Sequence, residues 1–144
     1  MLPIRFDISR LTLGDRIAGG ASVALLIGIF LPWFDFGSAE TGYFSFSATS
    51  LRTWMYLVLA VTLGVIGYLV VKALHRRHRW PILHWLVLVA ACGADLVLAL
   101  GCFVTKTVGV RWDYGAYLSL VAAVTAVAGA VVSQRRSSTR LKTG

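Results

Sequence analysis

The sequence predicts an all-α membrane protein: a four-transmembrane-helix bundle with a small outer β-like hairpin loop. Three observations carry this reading. The 144 residues are 58% hydrophobic and only 14% charged, whereas soluble domains carry about a quarter charged residues. Four apolar runs, at 17–34, 54–74, 81–104 and 115–133, are each near the ~20 residues that cross a hydrocarbon core of ~30 Å. The net charge of +8 is also unevenly placed. Eleven of the fourteen Lys and Arg residues lie before the first run, from Lys72 near the end of the second run to the start of the third, or after the fourth, leaving only Arg52, Lys106 and Arg111 in the other two loops. The positive-inside rule then places both termini of a multi-pass membrane protein in the cytoplasm. Little sequence remains outside the runs, so residues 1–144 are read as one membrane domain with a cytoplasmic tail at 134–144. Basic clusters so distributed are topology signals resting on the lipid surface, and no nucleic-acid partner is expected.

Each element follows from local chemistry. Thr12 stands where it can cap the first helix, with Asp15 three residues on in capping-box spacing. Pro32 marks where that span frays. The longest loop, 35–53, has a Gly/Ser/Thr turn region between two short aromatic segments, which predicts a small hairpin; Ser50 is a candidate cap for the second helix. The link "HRRHRW" is short, so spans two and three form a tight antiparallel pair, with Pro81 in the first turn of the third. Asp113 is placed to cap the fourth helix, and the polar, basic tail is read as disordered. Aromatic residues support the layout: Trp80 and Trp85 fall at one boundary, and Trp33, Trp54, Tyr56, Trp112, Tyr114 and Tyr117 at the other.

Small residues recur at helical spacing: Gly20, Ala24 and Gly28 in the first span, Ala60 and Gly64 in the second, Ala122, Ala126 and Ala130 in the fourth. Such stripes let helix backbones approach in lipid, and they are read first as contacts within the bundle, second as an oligomer face.

One carboxylate stands out. Asp95 lies inside "AACGADLVLALGC", past mid-membrane, with no Lys or Arg at its depth. Thr62 and Ser119 come to nearly the same depth on antiparallel neighbours and offer hydroxyls, so a structural, hydrogen-bonded Asp95 is expected. His84 shares its face three turns away, which admits a proton or ion path; at ~16 Å along one helix the two are too far apart for direct transfer. Cys92 and Cys102, ~15 Å apart on the same helix, cannot form a disulfide with each other. On the outer side, "WFDFG" and "WDYG" bring Trp33, Asp35, Trp112 and Asp113 toward one corner if the first and fourth helices are neighbours, a candidate binding patch or simply interfacial anchors and a cap. His75 and His78 among three arginines make a poor metal site. No cofactor and no metal are expected, and no catalytic motif appears.

At "FLPW", residues 30–33, and in its overall topology, the chain resembles small actinobacterial four-span membrane proteins of unknown function. The resemblance implies a plasma-membrane location and no established activity. The expected function is non-enzymatic: an accessory, assembly or scaffold subunit of a larger cell-envelope complex, its partners the lipid bilayer and another membrane protein or further copies of itself. The alternative is a small transporter or channel using Asp95.

Overall fold

The computed structural model describes residues 11–38, 42–51, 53–74, 83–105 and 111–142, with the side chains at 38, 43, 51, 83–84 and 136–142 outside that description. Four helices are long and apolar enough to cross a membrane: α1 (Leu13–Phe30), α3 (Met55–Leu74), α4 (Leu83–Val104) and α5 (Tyr114–Lys142). A single-turn helix, α2 (Ala48–Leu51), precedes α3. Strands β1 (Pro32–Ser38), β2 (Gly42–Ser47) and β3 (Arg111–Trp112) form one antiparallel sheet in the order β2-β1-β3 at one end of the bundle. The helices form a ring in which α1 touches α5 and α3, and α4 touches α5 and α3.

α1 begins as the sequence predicts. Asp15 N–H donates to Thr12 Oγ1 at 3.2 Å and Thr12 N–H to Asp15 Oδ2 at 3.0 Å, a complete capping box. Its end differs from the expected 34. The helix stops at Phe30 because Pro32 biases the residue before it to extended backbone, and Leu31 adopts φ −72°, ψ 160°. Pro32 also has no N–H to give Gly28 in the helical ladder. The Gly28 carbonyl is satisfied instead by Leu31 N–H at 3.2 Å and by the Trp33 indole Nε1–H at 2.8 Å. Trp33 is therefore a fully buried plug under the sheet rather than an interfacial anchor.

The expected hairpin is β1 with β2, pairing Phe34 with Phe46 and Phe36 with Phe44. Gly42 has φ +81°, a conformation that L side chains rarely adopt. What the sequence reading missed is β3. Phe34 pairs with Trp112 and Asp35 with Arg111, and Asp113 N–H donates to Trp33 C=O at 2.9 Å, so the segment after α1 and the segment before α5 make one sheet. Trp112 stacks on Phe103 of α4 with ring centroids 4.5 Å apart, tying the sheet to the bundle.

Two further expectations are corrected. Ser50 lies inside α2 and does not cap α3; its hydroxyl pairs with that of Ser47 at 2.9 Å. The tail is not a disordered extension: α5 continues to Lys142. Gln, Arg, Leu and Lys are good helix formers, and cations near a helix C-terminus suit its dipole. Asp113 does cap α5, accepting from Tyr114 N–H at 2.7 Å. The expectations for residues 1–10, His75, His78, Trp80 and Pro81 lie outside the described residues.

Candidate functional site

Asp95 sits twelve residues into the 22-residue α4, so about 18 Å from its start and near the middle of the span. It is 2% exposed. Thr62 of α3, also fully buried, donates its hydroxyl to Asp95 Oδ2 at 3.0 Å. Ser119 does not join them. It is buried on α5 against Gly28, where a Cβ would collide with its hydroxyl oxygen. Asp95 Oδ1 and Ser119 Oγ are both buried with no hydrogen-bond partner. His84 lies in α4, but its side chain is outside the described residues. Cys92 and Cys102 are buried thiols not joined by a disulfide, each in a different core cluster.

A second buried carboxylate gathers more partners than the first. Asp15, fully buried in the first turn of α1, holds Lys72 Nζ of α3 at 2.7 Å on Oδ2 and Ser133 Oγ of α5 at 2.8 Å on Oδ1. Ser133 spends its only hydroxyl proton on Asp15. In the 3.1 Å pair between Thr12 and Ser133 the donor is therefore Thr12. The cluster joins three helices at the end opposite the sheet. Sequence reasoning treated Asp15 only as a cap because its other partners lie 57 and 118 residues away. The one available signal was Lys72 in the last turn of the second span, close enough to the boundary to meet the first turn of the first.

The outer-corner residues are adjacent but do not form an open patch. Trp33 is sealed in the core, Trp112 is half-buried against Phe103 and Phe34, and Asp113 is occupied as a cap. Asp35 lies on β1 opposite Arg111.

The small-residue stripes divide. Ala122, Ala126 and Ala130 are all buried, facing α1 and α4 as the tight side of the ring. On α1 the buried face is Gly14, Ala18, Ala21, Ser22, Leu25 and Gly28. Gly20 is exposed, a Cβ there meets nothing within 4 Å, and Ala24 is half-buried, so the contact stripe is rotated from the expected one. Backbones approach closely at Gly14, where a Cβ would collide with Ser133 N, and at Gly129 of α5, where a Cβ would stand 2.6 Å from Ala18 N and 2.9 Å from Gly14 O. On α3, Ala60 and Gly64 are exposed, because α3 packs through Val58, Thr62, Val65 and Leu69.

Two open grooves run between helices on the outside of the ring. One, about 380 Å³, lies between α3 and α4 and is lined by Gly64, Val65, Tyr68, Leu88 and Ala91 among others. The other, about 340 Å³, lies between α1 and α3 near the Asp15 end. Asp95 lines neither. Among the described residues no three His, Cys, Asp or Glu side chains gather as a metal site would need. Compared with protein families, curated proteins and solved structures, the chain matches none.

Proposed function

We propose that the chain is a non-enzymatic integral membrane protein of the plasma membrane, with both termini cytoplasmic, acting as an accessory, assembly or scaffold subunit of a larger cell-envelope complex. The observation that carries this reading is the unequal burial of the four spans. In α1 and α5, 44% of the apolar window is buried, but only 28% in α3 and α4. The less buried pair exposes Ala60, Gly64 and Gly67, and a Cβ at either glycine meets nothing within 4 Å. Small residues beside a groove suit the close approach of another transmembrane helix, where packing rather than water exclusion drives association. The likeness to small actinobacterial four-span proteins fits such a role and brings no activity with it.

Co-purification from native membranes in mild detergent tests the reading. A larger membrane protein should accompany the wild-type chain and be lost with Gly64→Leu, while the variant alone unfolds at the wild-type temperature. An equal yield of partner with both, or none with either, would count against a partner seated on α3 and α4.

One observation favours a second reading. Asp95 Oδ1 and Ser119 Oγ are buried without hydrogen-bond partners, and intramembrane carboxylates often mark ion or proton routes. A small transporter or channel using Asp95 would pass its ion between α3, α4 and α5. Vesicle flux measurements separate the two readings.

A further inference from the structure

The apolar core of the bundle is interrupted at mid-span. One buried cluster, with Leu25, Ile29, Val58 and Cys102, fills the sheet end, and another, with Ala18, Val65, Leu69 and Cys92, fills the opposite end. Each draws side chains from all four long helices. Between them lies a polar layer of Ser22 from α1, Thr62 from α3 and Asp95 from α4, exposed by 1%, 0% and 2%. Ser119 is not part of it, since it falls between Ala116 and Ala122 of the sheet-end cluster and faces Gly28.

The helix faces bring the three together. Thr62 holds Asp95 directly, at 3.0 Å. On α1, Asp15 and Gly19 face α3, whereas Gly14 and Gly28 face α5. At 3.6 residues per turn, Ser22 falls between those two directions and points at the axis of the ring. Leu69 packs opposite Gly19, so Ser22 lies about one turn, ~5 Å, from the level of Thr62 along the antiparallel pair.

Asp95 Oδ1 is nonetheless sealed without a protein partner, so Ser22 does not bond it directly. One water bridging two oxygens spans about 5 to 6 Å, close to that offset. Ser22 and Ala99, one turn from Asp95 on α4, are small and buried, which gives a water room. Leaving a buried carboxyl oxygen without any partner costs more than immobilising one water. A divalent cation fits worse, because it takes about six or more oxygens and the layer supplies one carboxyl and two hydroxyls.

We propose that a single captive water occupies this layer, hydrogen-bonded to Asp95 Oδ1 and Ser22 Oγ and closed in by an apolar cluster on either side. The site goes beyond both readings above. It needs no partner protein, and with both ends closed it satisfies Asp95 without opening a route across the bundle.

Water-edited solid-state NMR of the ¹³C-labelled full-length protein in lipid bilayers tests it, by timing the transfer of magnetisation from water to buried carbons. Ile29 and Leu88 are as buried as Asp95 and lie nearer the two ends of the bundle, so in a dry interior their signals would rise before that of Asp95. With the water in place, the Asp95 carboxyl and Ser22 Cβ should rise first, several-fold faster than Ile29 and Leu88. Ser22→Val, which removes the hydroxyl and puts methyl groups in the water's place, should slow the Asp95 signal to the rate of Ile29. If that variant does not assemble, the order of signals in the wild type decides alone. Asp95 rising with or after Ile29 and Leu88 in the wild type, or an unchanged fast rise in a folded Ser22→Val, would overturn the site.

Discussion

Asp15 and Asp95 are both buried among the helices, at 0% and 2% exposure, yet they are held in different ways. Asp15 lies at the end of the bundle opposite the sheet, where a lysine can extend along its helix and meet it while remaining 25% exposed. It gathers α1, α3 and α5 through three partners. Asp95 lies at mid-span, where only hydroxyls are within reach, and it has one partner on one neighbouring helix. The difference teaches that depth decides what a buried carboxylate can do. Near the boundary it can be paired with a full charge and tie helices together; at the centre it can only be shielded.

The largest effect should follow from removing the better-held group. Asp15→Leu removes the reciprocal half of the capping box, the acceptor of Thr12 N–H, and takes the carboxylate away from Lys72 and Ser133. A loss of about 2 to 4 kcal/mol is expected in detergent unfolding, at the lower side of values for buried pairs because Lys72 can turn to water. Asp15→Asn, which keeps one acceptor oxygen where the carboxylate has two and loses the charge, should cost less than Asp15→Leu, because either Thr12 N–H or Ser133 keeps its acceptor. If Asp15→Leu costs no more than Asp95→Leu, the contrast between the two sites is broken.

Next comes the α1–α5 contact that brings the Asp15 partners together. Gly129→Ala places a methyl against the Ala18 and Gly14 backbone and should cost about 1 to 3 kcal/mol. Gly20→Ala, one helix away on the open side, should change stability by less than about 0.5 kcal/mol. Equal effects for the two would mean that α1 presents a different face to α5.

This pair of glycines also shows how far sequence reaches. Four spans, the capping box and the hairpin followed from composition, spacing and turn residues, all of them local signals. The buried stripe of α5 was legible because alanine recurs every fourth residue there, at 122, 126 and 130. On α1 the same reasoning chose Gly20 over Gly14, since spacing marks a face but not which face meets a neighbour. β3 was missed because two residues carry no periodicity of their own, and the strand exists only through its pairing with β1. Trp33 was read as an anchor because its donor role depends on Pro32 lacking an N–H, a tertiary consequence of two adjacent residues. At the candidate site, Thr62 was correctly matched to Asp95 by depth, whereas Ser119, at the same depth, points to Gly28 instead.

Smaller effects belong to the mid-span site. Asp95→Asn should leave the bundle within about 0.5 kcal/mol of wild type, because an amide oxygen still accepts from Thr62. Asp95→Leu should cost about 1 to 2 kcal/mol by leaving the Thr62 hydroxyl short of its acceptor. The coupling between Asp95→Leu and Thr62→Val should be about 0.6 kcal/mol, the usual worth of one hydrogen bond between membrane helices. Smallest of all should be Ser119→Ala. The Ser119 hydroxyl has no hydrogen-bond partner, so its loss should be neutral or slightly stabilising in the same unfolding assay.

Whether function lies on the flank or in the interior rests on Asp95, and proton flux across reconstituted vesicles measures it most directly. With a pH gradient and a trapped pH dye, wild type and Asp95→Asn should both leak no faster than protein-free vesicles, while each retains the unfolding temperature of the folded bundle. Flux above that background in the wild type, abolished in a stably folded Asp95→Asn, would contradict a structural Asp95 and make the interior of the bundle the working site.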